Sequence, residues 1–232
     1  MKTIAIIPAR GGSKRLLNKN ILSLGGIPLI AHSIRYALEN SNIVDEVHVS
    51  TDNEIIKKIA LQYGAKVINR PENLSGDFEP TVSALKHVIE SIKEDVEHVI
   101  LLQPTNPLRP QSLLKEAFEV YQKGNYDSLF TVSKNHKKLG KIVENKFYPF
   151  NYAIGQRSQD VEPLFFENGL IYITKASLIL EAIIISENAF PLEVNHIFAN
   201  VDVDTQEDLE YAEYLIEKSS HAAAALGKIR ST

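Results

Sequence analysis

The stretch Lys2 to Asn20, KTIAIIPARGGSKRLLNKN, decides the fold. Ile4 to Ile7 form an unbroken apolar run, as in a strand covered on both faces. Pro8 ends its ladder because it has no N–H to donate. Arg10, Lys14, Arg15 and Lys19 then crowd around Gly11, Gly12 and Ser13. Glycine permits close backbone approach, and bare N–H groups beside cations make a cradle for polyphosphate. Ligands gather at strand carboxyl ends in α/β chains, and this loop falls there. It carries neither G-x-G-x-x-G nor Gly-Lys-Ser/Thr at P-loop spacing, so neither nucleotide fingerprint explains it. The plain alternative is a solvated basic turn.

Outward from this strand the chain alternates. Helices are expected from Pro28 to Leu38, from Glu54 to Tyr63 behind an N-cap in Thr51-Asp52-Asn53, from Pro80 past Val88, from Leu113 to Tyr121, from Ala176 to Ile184 and from Gln206 to Glu217. Strands are expected at Val44–Ser50, Lys66–Asn69, Val99–Leu102, Ser128–Val132, Leu170–Ile173 and Val194–Phe198. This alternation predicts a doubly wound, mostly parallel α/β sheet. Residues 1–133 and 168–220 make the main domain. Residues 134–167 lose helical periodicity and are rich in aromatic and basic residues, which predicts an inserted arm that pairs subunits. Residues 221–232 read as a tail.

The 232 residues are 44% hydrophobic with net charge −4, so charge alone does not recruit nucleic acid or a membrane. Cysteine is absent, which removes disulfides and thiolate nucleophiles and fits a cytoplasmic location. The isoleucine run is too short for a signal peptide or a membrane span.

Three further constellations bear chemistry. In Asp202-Val203-Asp204 the two carboxylates are two residues apart and share one side of an extended segment, a hard-oxygen arrangement suited to Mg²⁺. The alternative is an aspartate, or Thr205, capping the next helix. Gln103 to Arg109 closes a central strand with a proline-stiffened loop, in which Gln103, Thr105 and Asn106 can recognise hydroxyl groups. Gln156 to Asp160 and Glu167-Asn168-Gly169 add Arg157, a possible partner for a carboxylate. No histidine is placed for a catalytic triad.

Taken in order, I-P-A-R-G-G-S-K (Ile7–Lys14), K-N (Lys19-Asn20), V-S-T-D (Val49–Asp52), R-P (Arg70-Pro71), L-Q-P-T-N-P-L-R (Leu102–Arg109), E-N-G (Glu167–Gly169) and D-V-D-T (Asp202–Thr205) resemble the acylneuraminate cytidylyltransferases. The resemblance spans nearly the whole chain. It implies a nucleotide-diphospho-sugar transferase-like variant of the Rossmann fold, a homodimer and an activated sugar acid for cell-surface polysaccharide, made from CTP and a nine-carbon 2-keto acid with loss of pyrophosphate. It places Arg10, Gly11, Ser13, Lys14 and Lys19 around the triphosphate, Asn20 at the ribose, Arg70 and Thr81 around the cytosine, and Mg²⁺ on Asp202 and Asp204. The sugar contacts it suggests are Gln103, Thr105, Asn106, Arg157, Gln159, Asn168 and Tyr172, with Phe190 and Tyr172 near an acyl group. Phe166 stands where many members carry a sugar-binding arginine, leaving Arg157, Lys137, Lys138 or Lys141 for the carboxylate. The Arg157–Asp160 run leans towards legionaminic or pseudaminic acid over plain N-acetylneuraminate. Alternatives are an eight-carbon keto-deoxy acid as acceptor and a non-catalytic nucleotide-binding relative.

Overall fold

A computed structural model describes residues 2–229 of the chain, with side chains to residue 219. The tail expected over 221–232 lies outside the residues whose side chains are described. The strands are β1 (Lys2–Pro8), β2 (Ser23–Leu24), β3 (Ile27–Pro28), β4 (Glu46–Thr51), β5 (Lys66–Asn69), β6 (Val96–Leu101), β7 (Ser128–Asn135), β8 (Gly140–Val143), β9 (Lys146–Pro149), β10 (Leu164–Lys175) and β11 (Ala189–Glu193). The helices are α1 (Leu29–Glu39), α2 (Glu54–Gln62), α3 (Thr81–Ser91), α4 (Leu113–Lys123), α5 (Ala176–Leu180) and α6 (Gln206–Ile229). No helix among the described residues is long and apolar enough to cross a membrane.

The apolar run of β1 is explained by its two neighbouring layers. Ala5 and Ile7 pack with Ile30 and Ile34 of α1, Ile56 of α2 and Leu114 of α4. Ile4 and Ile6 face the other way, onto Leu85 and Val88 of α3 and Ile179 of α5. All four β1 residues are fully buried; each isoleucine contributes about 2 kcal/mol by leaving water, so neither face tolerates a polar residue. Local signals then set the helix ends. Asn53 Oδ1 accepts from the N–H groups of Ile55 (2.9 Å) and Ile56 (3.1 Å), capping α2. Gly64 follows it at φ +91°. Thr205 and Asp208 cap α6 reciprocally: Asp208 Oδ2 accepts from the Thr205 N–H at 2.8 Å, and the Asp208 N–H reaches Thr205 Oγ1 at 3.3 Å.

Seven strands form one sheet in the order β11-β7-β10-β6-β1-β4-β5. β1 is parallel to β4 and β6, β4 to β5, and β7 to β11, while β10 runs antiparallel to β6 and β7. The chain winds from β1 outward through β4 to β5, then returns to β6 on the opposite side of β1. This reversal opens a crevice above the carboxyl ends of β1 and β6. The mostly parallel doubly wound sheet is therefore present.

Three local expectations are corrected. The last strand is Ala189–Glu193, not Val194–Phe198; residues Ile197–Asn200 form a 3-10 turn capped by His196, whose Nδ1 accepts from the Phe198 N–H at 3.1 Å. β11 contains Pro191 and lies on the sheet edge, where a missing donor is tolerated. The helix after β10 stops at Leu180 rather than Ile184, and Ala182 takes a left-handed φ of +62°. The return to the sheet at Leu170–Ile173 belongs to a twelve-residue strand that begins at Leu164. β7 and β10 project together beyond the sheet, with Leu164 opposite Asn135, and β8 and β9 form a separate hairpin between them. Around this projection Phe147, Tyr148, Phe150 and Phe165 are each about half exposed or more, uncovered by the described residues.

Candidate active site

The crevice above β1 and β6 is a cavity of about 600 Å³. Its floor is Pro8 and Arg10 after β1 and Gln103, Pro104 and Thr105 after β6. Ser13, Lys14, Lys19 and Asn20 come from the basic loop, Arg70 from the end of β5, Thr81 from the first turn of α3 and Asp204 from the segment before α6. Residues from six places in the chain thus converge where the strand order reverses.

The basic loop is shaped by its neighbours. The Gly11 N–H donates to Asp52 Oδ1 at 2.8 Å, and a Cβ on Gly11 would lie 2.7 Å from Asn53 Nδ2; only glycine lets the loop run this close to the end of β4. Gly11 therefore acts through its backbone, outside the cavity lining. Asn20 is buried and its Nδ2 donates to the Arg10 carbonyl at 3.0 Å, pinning the two ends of the loop. Arg70 is buried too: Nε donates to Ser50 Oγ (3.0 Å) and Nη2 to the Ser50 carbonyl (2.8 Å). Burial, and then the nearby Arg10, hold its pKa below the ordinary value, against the pull of Asp52.

Two carboxylates occupy the cationic cradle. Lys19 Nζ lies 2.6 Å from Asp204 Oδ1 and Arg15 Nη2 lies 2.8 Å from Asp204 Oδ2, joining the N-terminal loop to the late aspartate pair. Arg10 Nη1 lies 3.0 Å from Asp77 Oδ1, and Lys14 pairs with the same carboxylate. Asp77 is held below its usual pKa, mainly by Lys14. Four cations against two carboxylates leave an excess of two positive charges facing the cavity. Asp77 competes with any polyphosphate for Arg10 and Lys14. Asp77→Asn is therefore expected to tighten binding of inorganic tripolyphosphate about threefold at low salt, since exposed pairs are weak, with the gain fading as salt rises. Calorimetric titration checks this; weaker binding in the variant would mean that Asp77 does not compete.

Asp202 lies beside this cluster. Its carboxyl pKa is raised, first by the protein mass around it and then by the charge of Asp204, while a hydrogen bond from Thr105 opposes the shift. A carboxylate whose charge is disfavoured, with a second carboxylate two residues on, suits a hard divalent cation. Among the described residues no group of three or more His, Cys, Asp or Glu could enclose a metal; a cation on Asp202 and Asp204 would complete its shell with phosphate oxygens and water.

The expected sugar contacts separate into two groups. Gln103 and Thr105 line the cavity. Tyr172 is nearly buried on the same side of the sheet as Leu101, donates its hydroxyl to Glu167 Oε2 at 3.1 Å, and has its pKa raised by burial and by Glu167, with a smaller contribution from Asp202. Asn106 and Asn168 are corrected: they are 1% and 5% exposed and their amides are engaged inside the protein, so they cannot touch a ligand in the cleft. Arg157 binds Asp160 through Nε (2.8 Å) and Nη2 (3.0 Å), and with Gln159 it lies outside the cavity lining. Phe190 packs against Tyr126, centroids 4.9 Å apart, beside the core under α4, so it lines no acyl pocket. Sequence reasoning missed Arg15 as a partner of Asp204, and Asp77, Phe78 and Glu79 as a wall of the cleft. Nothing in the irregular segment before Pro80 marks Asp77, because its role depends on cations more than sixty residues away.

The sequence matches the model of the family described as Cytidylyltransferase over residues 4–227. It is 36% identical over 236 residues to the pseudaminic acid cytidylyltransferase of Campylobacter jejuni subsp. jejuni serotype O:23/36 (strain 81-176), covering 97% of this chain and 100% of that one. It is 36% identical over 216 residues to the N-acylneuraminate cytidylyltransferase of Streptococcus agalactiae serotype III (strain NEM316), covering 90% of this chain and 52% of that one. It is 35% identical to the CMP-N,N'-diacetyllegionaminic acid synthase of Legionella pneumophila subsp. pneumophila (strain Philadelphia 1), covering 96% and 99%. In fold it is similar to the solved structure of CMP:2-keto-3-deoxy-manno-octonic acid synthetase complexed with CTP, with a TM-score of 0.70 at 20% identity, covering 94% of this chain and 100% of that one. With the crevice, the basic loop and the aspartate pair in place, the chain belongs to the cytidylyltransferase family, a family of nucleotidyltransferases.

Proposed function

We propose that this protein transfers CMP from CTP to the anomeric hydroxyl of a nine-carbon 2-keto sugar acid of the pseudaminic, legionaminic or sialic type, releasing pyrophosphate. The observation that supports the reading is the 2.6 Å approach of Lys19 to Asp204, which puts a cation of the basic loop beside one of the two late aspartates in one crevice. The anomeric hydroxyl gives its proton to a phosphate oxygen of the nucleotide, its oxygen forms a bond to the α-phosphorus, and the bond from that phosphorus to the bridging oxygen of pyrophosphate breaks. Such a transfer needs in-line positioning and charge neutralisation more than covalent help. Arg10 and Lys14 hold the departing phosphates once Asp77 yields, and Lys19 neutralises charge nearer the reacting phosphorus. Arg70 and Thr81 wall the base end, and Gln103 and Thr105 orient the acceptor. Mg²⁺ on Asp202 and Asp204 supplies further neutralisation of phosphate charge when bound.

The aromatic residues around the hairpin of β8 and β9 support a homodimer, since Phe150 and Phe165 are 68% and 51% exposed in one chain and such patches mark protein contacts. The CTP substrate suits a cytoplasmic enzyme. Pyrophosphate release, measured with CTP and a panel of pseudaminic, legionaminic, sialic and eight-carbon keto-deoxy acids, tests the reading. Mg²⁺-dependent release with a nine-carbon acid is expected, from a species of twice the chain mass in sedimentation. Release with none of the acids, or with the eight-carbon acid alone, would overturn the proposed reaction; a monomeric active species would overturn the dimer.

A further inference from the structure

Three motifs that lie far apart in sequence meet at one buried side chain. Asn106, in the loop after β6, is 1% exposed. Its Nδ2 donates to the carbonyl of Val201 at 2.9 Å and to the carbonyl of Asn168 at 3.0 Å. The Val203 N–H donates to the Thr105 carbonyl at 2.7 Å. Backbone on both sides of Asp202 is therefore tied to residues 105 and 106. Val201 and Val203 are buried in the cluster with Leu29, Leu108 and Leu209. In an extended segment alternate residues face opposite ways, so the buried valines turn Asp202 and Asp204 away from that cluster; Asp204 lines the cleft and Asp202 lies next to it along the same side of the segment.

The other end of the clamp is equally fixed. Asn168 Oδ1 accepts from Thr131 Oγ1 at 2.6 Å and from the Leu170 N–H at 3.1 Å, and its Nδ2 donates to Ser133 Oγ at 3.0 Å. Gly169 has φ +74°, and a Cβ there would lie 2.4 Å from Asn106 Oδ1. The glycine of E-N-G thus leaves room for the amide of Q-P-T-N-P-L-R, which in turn holds the backbone of D-V-D-T.

We propose that Asn106 is a positioning residue for the aspartate pair: its buried amide, seated on Gly169 and anchored through Asn168 to β7, sets where Asp202 and Asp204 present their carboxylates to the divalent cation. The inference rests on the reading of those aspartates as the cation site. It differs from a sugar-binding role, which burial forbids, and from a purely structural role, which would change the amount of folded enzyme but not its affinity for the cation. Partners one step removed from a metal typically change its affinity by about 10–100-fold.

The test uses the full chain with CTP bound, titrated with Mn²⁺ and followed by the electron paramagnetic resonance of free Mn²⁺, beside initial rates over a range of Mg²⁺. Asn106→Ala and Gly169→Ala are expected to weaken Mn²⁺ binding about tenfold and to shift the Mg²⁺ activation curve by a similar factor. The KM for CTP at saturating Mg²⁺ should stay within about twofold, because the cations of the cradle are untouched. Asn106→Ser, which keeps one hydroxyl donor, should shift in the same direction by less, and it decides the matter if the alanine variants fail to fold. Wild-type Mn²⁺ affinity in the serine variant, or a rise confined to the KM for the sugar acid, overturns the proposal. Absence of Mn²⁺ binding by the wild-type CTP complex would instead remove the cation site itself, and the proposal with it.

Discussion

Asp204→Asn is expected to lower kcat about 10³-fold while leaving CTP binding intact or tighter. The split follows from the geometry. Asp204 holds Lys19 at 2.6 Å and Arg15 at 2.8 Å, so removing its charge frees both cations for the triphosphate. Ground-state binding then gains or stays level. The transition state loses, because the carboxylate that would carry the divalent cation is now a neutral amide, a far poorer ligand for a hard ion. Steady-state rates with equilibrium binding of CTP separate the two effects. A turnover within a few-fold of wild type would place the reacting phosphorus away from Asp204 and end the metal assignment. A parallel loss of CTP binding would indicate that Asp204 organises the cradle rather than the chemistry.

Arg109→Ala is expected to destabilise the fold by about 3–5 kcal/mol, a fall of about 10 °C in Tm for a chain of this size. The guanidinium is buried and pairs with no carboxylate among the described residues, and burial lowers its pKa to about 10, so it remains charged at neutral pH. Its donors reach three neutral oxygens: Leu170 O at 2.7 Å, Gln103 O at 2.9 Å and Ser33 Oγ at 3.0 Å. The Tyr36 ring lies 5.6 Å away. Alanine strands three acceptors and opens a hole between α1, β10 and the loop after β6. Lysine retains the charge but not the planar fork, so Arg109→Lys should recover only part of the loss. Urea unfolding of the three proteins checks the order. A cost below about 1 kcal/mol for the alanine variant would show that water or relaxed side chains satisfy the freed oxygens. The sequence reading placed Arg109 only in a stiff loop; its burial makes it the brace behind Gln103.

Much of the architecture was legible because its causes are local. Four consecutive buried residues in β1 demand helices on both faces, and the chain supplies them. Asn53 caps α2 within three residues of itself, and Gly64 follows that helix in the left-handed region. Misreadings arose where a local rule met a tertiary exception. A strand that contains Pro191 runs against local strand preferences, yet an edge position needs no donor from it. Asn106 and Asn168 carry the donors and acceptors of a ligand site, but both are folded inward against other motifs. Nothing in their spacing distinguishes a polar residue facing a sugar from one bonded to the backbone of a distant segment.

The sequence by itself determined the doubly wound sheet, the cationic loop at the end of its first strand and the aspartates on one side of a late extended segment, since each depends on periodicity, caps and neighbours a few residues away. Only the tertiary structure decided that β10 runs antiparallel, that Asp77 enters the cradle of Arg10 and Lys14, and that Asn106 holds the segment bearing Asp202 and Asp204. Those outcomes depend on contacts between residues tens to hundreds of positions apart, whose energy exists only once the chain has closed on itself.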